Sequence, residues 1–149
     1  MRIALFQPDI PQNTGAAIRV CACLGLGLDI IEPCGFLWNE KKMTRTAMDY
    51  KNHVDIQRHL NWDAFHETYK NNRIILMTTK GSTNYTDFQF QKDDILMAGR
   101  ESAGVPDEVH AQVDGRVLIP MYGQARSMNV INATSMILGE ALRQTGFNQ

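Results

Sequence analysis

Cysteine is scarce: there are three in 149 residues, and Cys21, Cys23 and Cys34 are too few and too unevenly spaced for a disulfide framework. They read as free thiols of a protein kept in a reducing cytoplasm. The same residues make a poor zinc pair. Positions two apart on a helix project to different sides, and no CxxC or HxxxH partner follows Cys21 and Cys23. Long apolar runs are missing as well. Ile3 to Phe6 falls far short of a signal-peptide core before Gln7 and Pro8 interrupt it, and no segment approaches the ~18 apolar residues of a membrane span. Nor does charge of one sign dominate. Fifteen Lys plus Arg against sixteen Asp plus Glu leave a formal charge of −1, which excludes a strongly basic nucleic-acid binder and an acidic tail at the level of the whole chain. Any polyanionic partner must be met by a local patch.

The common nucleotide and metal fingerprints are also lacking. Gly25-Leu26-Gly27 precedes a strand instead of following one, and there is no GxxxxGK[ST] loop, no HExxH and no His–carboxylate pair at metal spacing. His53, His59, His66 and His110 are scattered and read as surface or core residues. No repeat, low-complexity stretch or Pro/Gly/Ser linker divides the chain. With 44% hydrophobic and 21% charged residues, positions 1–149 read as one globular domain.

What is present is an alternation of short apolar runs with helical patterns. Arg2 to Phe6 reads as a buried strand ending at Gln7 and Pro8, followed by a polar turn over Pro11 to Gly15. Ala16 to Leu24 is a helix closed by Gly25, and Leu28 to Ile31 is a second strand. Glu40 to Tyr50 is a polar helix candidate and His53 to Gln57 a short strand. Asn61 stands as an N-cap before Trp62, Phe65, His66 and Tyr69, whose spacing gives a helix one aromatic face. Ile74 to Met77, Ile95 to Ala98 and Val117 to Ile119 are strands, and Asn129 to Thr145 is a helix closed by Gly146. The alternation predicts an α/β domain with a mainly parallel sheet flanked by helices.

In such sheets ligands bind beyond the carboxyl ends of the strands. Three of the loops there combine glycine or proline with polar and charged side chains: Thr78 to Gly81, Gly99 to Gly104, and Pro120 to Asn129. Glycines let a backbone approach a ligand closely, and such loops present amides and carbonyls able to read a nucleobase. For one loop, ordinary turn chemistry is an adequate explanation. Three on consecutive strands weaken it.

Asn13-Thr14-Gly15 with Ile18-Arg19, Gly99-Arg100-Glu101-Ser102-Ala103-Gly104-Val105-Pro106, and Ile119-Pro120-Met121 with Arg126-Ser127-Met128-Asn129-Val130 and Asn132-Ala133 resemble, in order, the three motifs of SPOUT-class RNA 2′-O-methyltransferases. The resemblance covers nearly the whole chain. Ile31-Glu32-Pro33, Asp49-Tyr50 and Leu76 to Gly81 are similar to the minimal, stand-alone branch that modifies the wobble nucleotide of leucine tRNAs. The resemblance implies a deep trefoil knot at the C-terminal end, which general topology rules would argue against. It also implies S-adenosylmethionine as methyl donor, S-adenosylhomocysteine as product, no metal, and an obligate homodimer. Carried over position by position, Met77, Thr78, Gly99, Gly104, Ile119, Met121 and Ser127 would touch the cofactor, and Arg19, Glu101, Ser127 and Asn129 would form the reaction centre.

The implied reaction is an in-line displacement, in which a ribose 2′-oxygen attacks the sulfonium methyl. The protein's work is to align the two groups and help remove the hydroxyl proton. Arg19 is a poor base, since a guanidinium has a pKa above about 12; stabilising the alkoxide or gripping a phosphate suits it better. Glu101 reads equally as a loop-fixing and as a catalytic carboxylate, and Ser127 and Asn129 also suit helix N-caps. Between Glu40 and His59, residues including Lys41, Lys42 and Arg45 give a local excess of two positive charges, as readily a solvated helix face as an RNA patch. A dimer would present two such patches with Arg19, Arg100 and Arg126 between them, enough for weak, salt-sensitive binding to an anticodon arm. Three other readings remain: the same chemistry on another tRNA ribose or ribosomal RNA, a non-catalytic RNA- or nucleotide-binding knot module, and a small-molecule enzyme using a nucleotide.

Overall fold

A computed structural model describes residues 1–39, 50–81 and 83–147. The strands are β1 (Arg2–Phe6), β2 (Gly27–Ile31), β3 (Ile56–His59), β4 (Ile74–Met77), β5 (Thr83–Asn84), β6 (Ile95–Ala98) and β7 (Gly115–Leu118). The helices are α1 (Pro11–Leu24), α2 (Trp62–Thr68), α3 (Asp107–Gln112) and α4 (Val130–Thr145), with a 3-10 turn at Tyr50–His53. The strands form one sheet in the order β3-β2-β1-β6-β4-β7-β5. Every pairing is parallel, with Leu5 beside Ile30 on one side and Ala98 on the other.

Alternation along the strands divides the core. Ile3, Leu5, Leu28, Ile30, Ile75, Leu96 and Val117 face Ile18, Cys21, Leu138 and Leu142 of α1 and α4. Ala4, Phe6, Ile31, Ile74, Leu76, Ile95 and Met97 face Trp62 and Phe65 of α2 and Val109 of α3. The period-2 geometry of a strand buried on both faces produces this split, and it gives the three layers of an α/β sandwich.

Helix ends follow local chemistry where that chemistry is sufficient. Asn61 accepts from the Ala64 amide at 2.9 Å, Gly25 closes α1 in the left-handed region at φ 65°, and Gly146 follows α4. The start of α1 departs from expectation. It begins at Pro11 instead of Ala16, so the polar stretch read as a turn is the first helical turn. Proline at the opening position loses no hydrogen bond, since its amide would be an orphan there, and Asn13 and Thr14 are buried by contacts the local sequence does not show. The strand expected over His53 to Gln57 is displaced to Ile56–His59, where register with Leu28–Ile31 sets it. Likewise β7 starts at Gly115 and stops at Leu118, and α3 and β5 are additional elements. Of the Glu40 to Tyr50 helix candidate, all but Tyr50 lies outside the described residues.

Strand order is what builds the site. Because β6 lies between β1 and β4, and β4 lies between β6 and β7, the loops after β1, β4, β6 and β7 come together at one end of the sheet.

Candidate functional site

The carboxyl ends of β4, β6 and β7 open into a cavity of about 460 Å³, within the range usual for small-molecule sites. Its walls are apolar: Leu76 and Met77 from β4, Ala98 from β6, Val117 from β7, Ile119, and Ile137 from α4. Most of its polar groups come from the three glycine-bearing loops, with Asn13 added from α1 and Thr134 from α4. Met77, Thr78, Gly99, Gly104, Ile119, Met121 and Ser127 all line it, as do Glu101, Asn129 and Arg126.

Two glycines shape one wall. Arg100 and Gly104 exchange backbone hydrogen bonds of 3.0 and 2.9 Å, which folds residues 100–104 into a tight loop. Gly104 has φ 66°, and a Cβ on Gly99 would lie 2.7 Å from the Gly104 carbonyl carbon, closer than real Cβ atoms approach. Only glycine at position 99 lets the loop close on itself.

A chain of side-chain hydrogen bonds then joins the sequence motifs. The Asn13 amide nitrogen donates to Glu101 Oε1 at 3.0 Å, and its oxygen accepts from Asn129 Nδ2 at 3.1 Å. The Asn129 oxygen caps α4, accepting from the Ile131 and Asn132 amides at 2.9 and 3.3 Å. The other oxygen of Glu101 accepts from the Asp9 amide at 2.8 Å. Both carboxylate oxygens of Glu101 are thus engaged by N–H donors. Asn129 is the N-cap, and Ser127 is an exposed residue of the cavity wall.

Arg19 is placed elsewhere. It lies on the exposed face of α1, its guanidinium carbon 5.6 Å from the centre of the Tyr50 ring, and it borders a shallow apolar groove between α1 and α4. That groove, of about 520 Å³, is lined by Ala16, Val20, Cys23, Leu24, Leu142 and Phe147 among others. Lys41, Lys42 and Arg45 lie outside the described residues. Among the described residues, no cluster of three or more His, Cys, Asp or Glu side chains is placed to hold a metal ion. Among them, too, no helix is long and apolar enough to cross a membrane.

Sequence reasoning assigned no role to Asn13, although it stands in the first motif, and passed over Gln7 and Asp9; Arg100, expected to meet RNA, turns its guanidinium to the Gln7 amide oxygen and the Phe6 ring. Asp9 and Gln7 carry no motif signal; their position directly after a strand is the sole hint. Burial pushes the thiols of Cys21 and Cys34 up to about 12 and about 11, so both are protonated at neutral pH.

The family model described as the SpoU rRNA Methylase family matches residues 1–139, and the chain belongs to that family. A relative in Beijerinckia indica named tRNA (cytidine(34)-2′-O)-methyltransferase is 51% identical over 97% of this chain and 91% of its own length. A structure concerned with 2-OH methylation of C/U34 on tRNA superposes with a TM-score of 0.91, at 38% identity, covering 96% of this chain and 94% of that one. The SpoU methyltransferase AviRb from Streptomyces viridochromogenes, solved in complex with the cofactor AdoMet, superposes at 0.87 with 26% identity, covering 97% of this chain and 60% of that one. The expected α/β fold with a parallel sheet is the fold these methyltransferases share.

Proposed function

We propose that this chain is a cytoplasmic, homodimeric enzyme that methylates the 2′-oxygen of the wobble ribose, cytidine or modified uridine 34, of leucine tRNAs, using S-adenosylmethionine. The observation that carries the reading is the Glu101–Asn13–Asn129 chain of hydrogen bonds on the wall of a glycine-cornered cavity. The position-34 specificity rests on the likeness to the relatives; leucine tRNA rests on the motifs quoted above.

The cavity fits the donor. Its volume and apolar walls suit an adenosine-sized ligand, and the 99–104 loop and Ile119 to Met121 supply backbone groups along it. Met77, Thr78, Gly99, Gly104, Ile119, Met121 and Ser127 would hold it. When bound, S-adenosylmethionine supplies an electrophilic methyl on a sulfonium.

The residues of the chain do the rest by alignment. Glu101, whose two oxygens accept from the Asp9 amide and the Asn13 side chain, fixes the loop. Ser127, exposed on the cavity wall, is free to relay the ribose proton through its hydroxyl or a water. Arg19 serves the developing alkoxide or an adjacent phosphate. Its place beside the apolar groove, outside the cavity wall, supports a homodimer formed on α1 and α4, in which Arg19 acts on the site of the other protomer. The trefoil knot is supported by the path of the chain. After β7, residues of the 119–129 segment line the same cavity as the β4 and β6 loops, and α4 returns to pack on α1, β4 and β6. Arg126, exposed at the cavity, meets RNA phosphate, together with Lys41, Lys42 and Arg45.

The test is transfer of labelled methyl from S-adenosylmethionine to unmodified total tRNA and, separately, to ribosomal RNA, with nucleoside analysis. The expected products are 2′-O-methylcytidine and 2′-O-methyluridine from leucine isoacceptors. Label in ribosomal RNA alone, or at another tRNA ribose, overturns the substrate assignment. No binding of S-adenosylmethionine by calorimetry overturns the enzyme.

A further inference from the structure

The segment between β1 and α1 does more than connect them. At Gln7 the backbone turns into the left-handed region, φ 46°, a conformation that favours glycine and that a glutamine adopts at a cost. The turn aims two side chains at the loop after β6. The Gln7 amide oxygen accepts from the Arg100 guanidinium, which lies over the Phe6 ring with its central carbon 5.7 Å from the ring centre. Two residues on, Asp9 Oδ2 accepts from the Ser102 hydroxyl at 2.5 Å and from the Ser102 amide at 3.1 Å, while the Asp9 amide donates to Glu101. Three consecutive residues of the second motif, 100 to 102, are therefore each gripped by the 7–9 segment.

Asp9 is itself pressed from behind. The Gly35 amide donates to the Pro8 carbonyl at 2.9 Å, and a Cβ on Gly35 would lie 2.8 Å from Asp9 Oδ1 and 3.0 Å from its Cα. The loops after β1, β2 and β6 are thus stacked with Asp9 in the middle, and position 35 has no room for a side chain.

We infer that Asp9 is a positioning residue for methyl transfer: its clamp on Ser102, backed by Gly35, sets the placement of Glu101 and, through Asn13 and Asn129, the start of α4 at the reaction centre. The inference rests on the function proposed above. The carboxylate acts by geometry and not by titration. The Ser102 hydroxyl holds its pKa below the ordinary aspartate value, assisted by the Ser102 amide and Arg100, so it stays ionised throughout the neutral range. A depressed carboxylate stabilises above its unfolded pKa of about 3.9 and loses that contribution only as pH falls through the lower folded value.

The experiment measures kcat, KM for tRNA, the dissociation constant of S-adenosylmethionine and the melting temperature for wild type, Asp9→Ala, Ser102→Ala, the double variant, Asp9→Asn and Gly35→Ala. Asp9→Ala and Ser102→Ala are expected to lower kcat by roughly tenfold, which is about 1.4 kcal/mol. KM for tRNA is expected to stay within about twofold, the scale of a contact the RNA does not make. The double variant should be no worse than the poorer single one, since both remove one contact. Asp9→Asn keeps an oxygen acceptor and should retain most of kcat with an unchanged pH profile. Gly35→Ala, which alters no group of the site, should lower kcat in the same way. Multiplicative effects in the double variant, a change confined to KM, or full activity of folded Asp9→Ala would each overturn the inference. A wild-type protein that methylates no tRNA would instead overturn the proposed function, and the two failures are read separately.

Discussion

Glu101 and Asn13 meet side chain to side chain at 3.0 Å across 88 residues of sequence, and the same Asn13 receives the amide of Asn129. One residue thus couples the loop after β6 to the first turn of α4. The arrangement needs a donor and an acceptor on the same side chain. Asn13→Asp keeps the shape but turns the donor into a second carboxylate facing Glu101. Burying like charges is costly, and one of the two would take up a proton. The expected result is a drop in kcat of about tenfold or more, larger than for Asn13→Ser, read in single-turnover methyl transfer.

Asn129 has two separable duties. Its oxygen caps α4 and its nitrogen reaches Asn13. Asn129→Asp keeps the cap and loses the donor, so thermal stability should hold while activity falls. Asn129→Ala loses both, with a further cost of about 1 kcal/mol for the cap, seen as roughly 2–4 °C in melting temperature for a chain of this size. Equal melting temperatures for Ala and wild type would remove the capping role.

Gly99→Ala tests the loop. The added methyl meets the Gly104 backbone at 2.7 to 2.8 Å, and backbone cannot swing aside as a side-chain tip can. The 100–104 loop must open, so the dissociation constant for S-adenosylmethionine should rise at least tenfold by calorimetry, with a smaller loss of stability.

The proposed dimer can be tested with a chemical reporter. Cys23 is exposed on the described chain and lines the apolar groove, whereas Cys21 is buried with its thiol pushed up to about 12 and Cys34 up to about 11. If the α1 and α4 face pairs in solution, Cys23 is protected from alkylation at micromolar protein and becomes the first thiol to react on dilution. Rapid labelling of Cys23 at every concentration, followed by mass spectrometry, would exclude that face as the interface.

Arg19→Ala should reduce methyl transfer while cofactor affinity stays unchanged, because Arg19 does not line the cavity. Weakened cofactor binding in this variant would argue that its contribution is to the fold of α1. Mixing Arg19→Ala with a Glu101→Gln chain should restore part of the activity in heterodimers if the site is shared between protomers.

The sequence by itself determined the elements and much of the cavity wall. Apolar runs such as Ile74 to Met77 and Ile95 to Ala98 are strands because nothing else short can bury both faces, and Gly25, Asn61 and Gly146 mark helix ends because their backbone or side-chain chemistry is local. Glycine-rich loops after those strands pointed to the ligand end of the sheet. What the sequence did not reveal was which loops touch. The start of α1 at Pro11, the register of β3, the Asp9–Ser102 clamp and the outward position of Arg19 depend on strand order, in which β6 separates β1 from β4. Strand order is set by contacts summed over the whole sheet, so no window of neighbouring residues contains it. Only once β1 and β6 pair does a carboxylate at position 9 find a hydroxyl at position 102, and only then is Glu101 held in place.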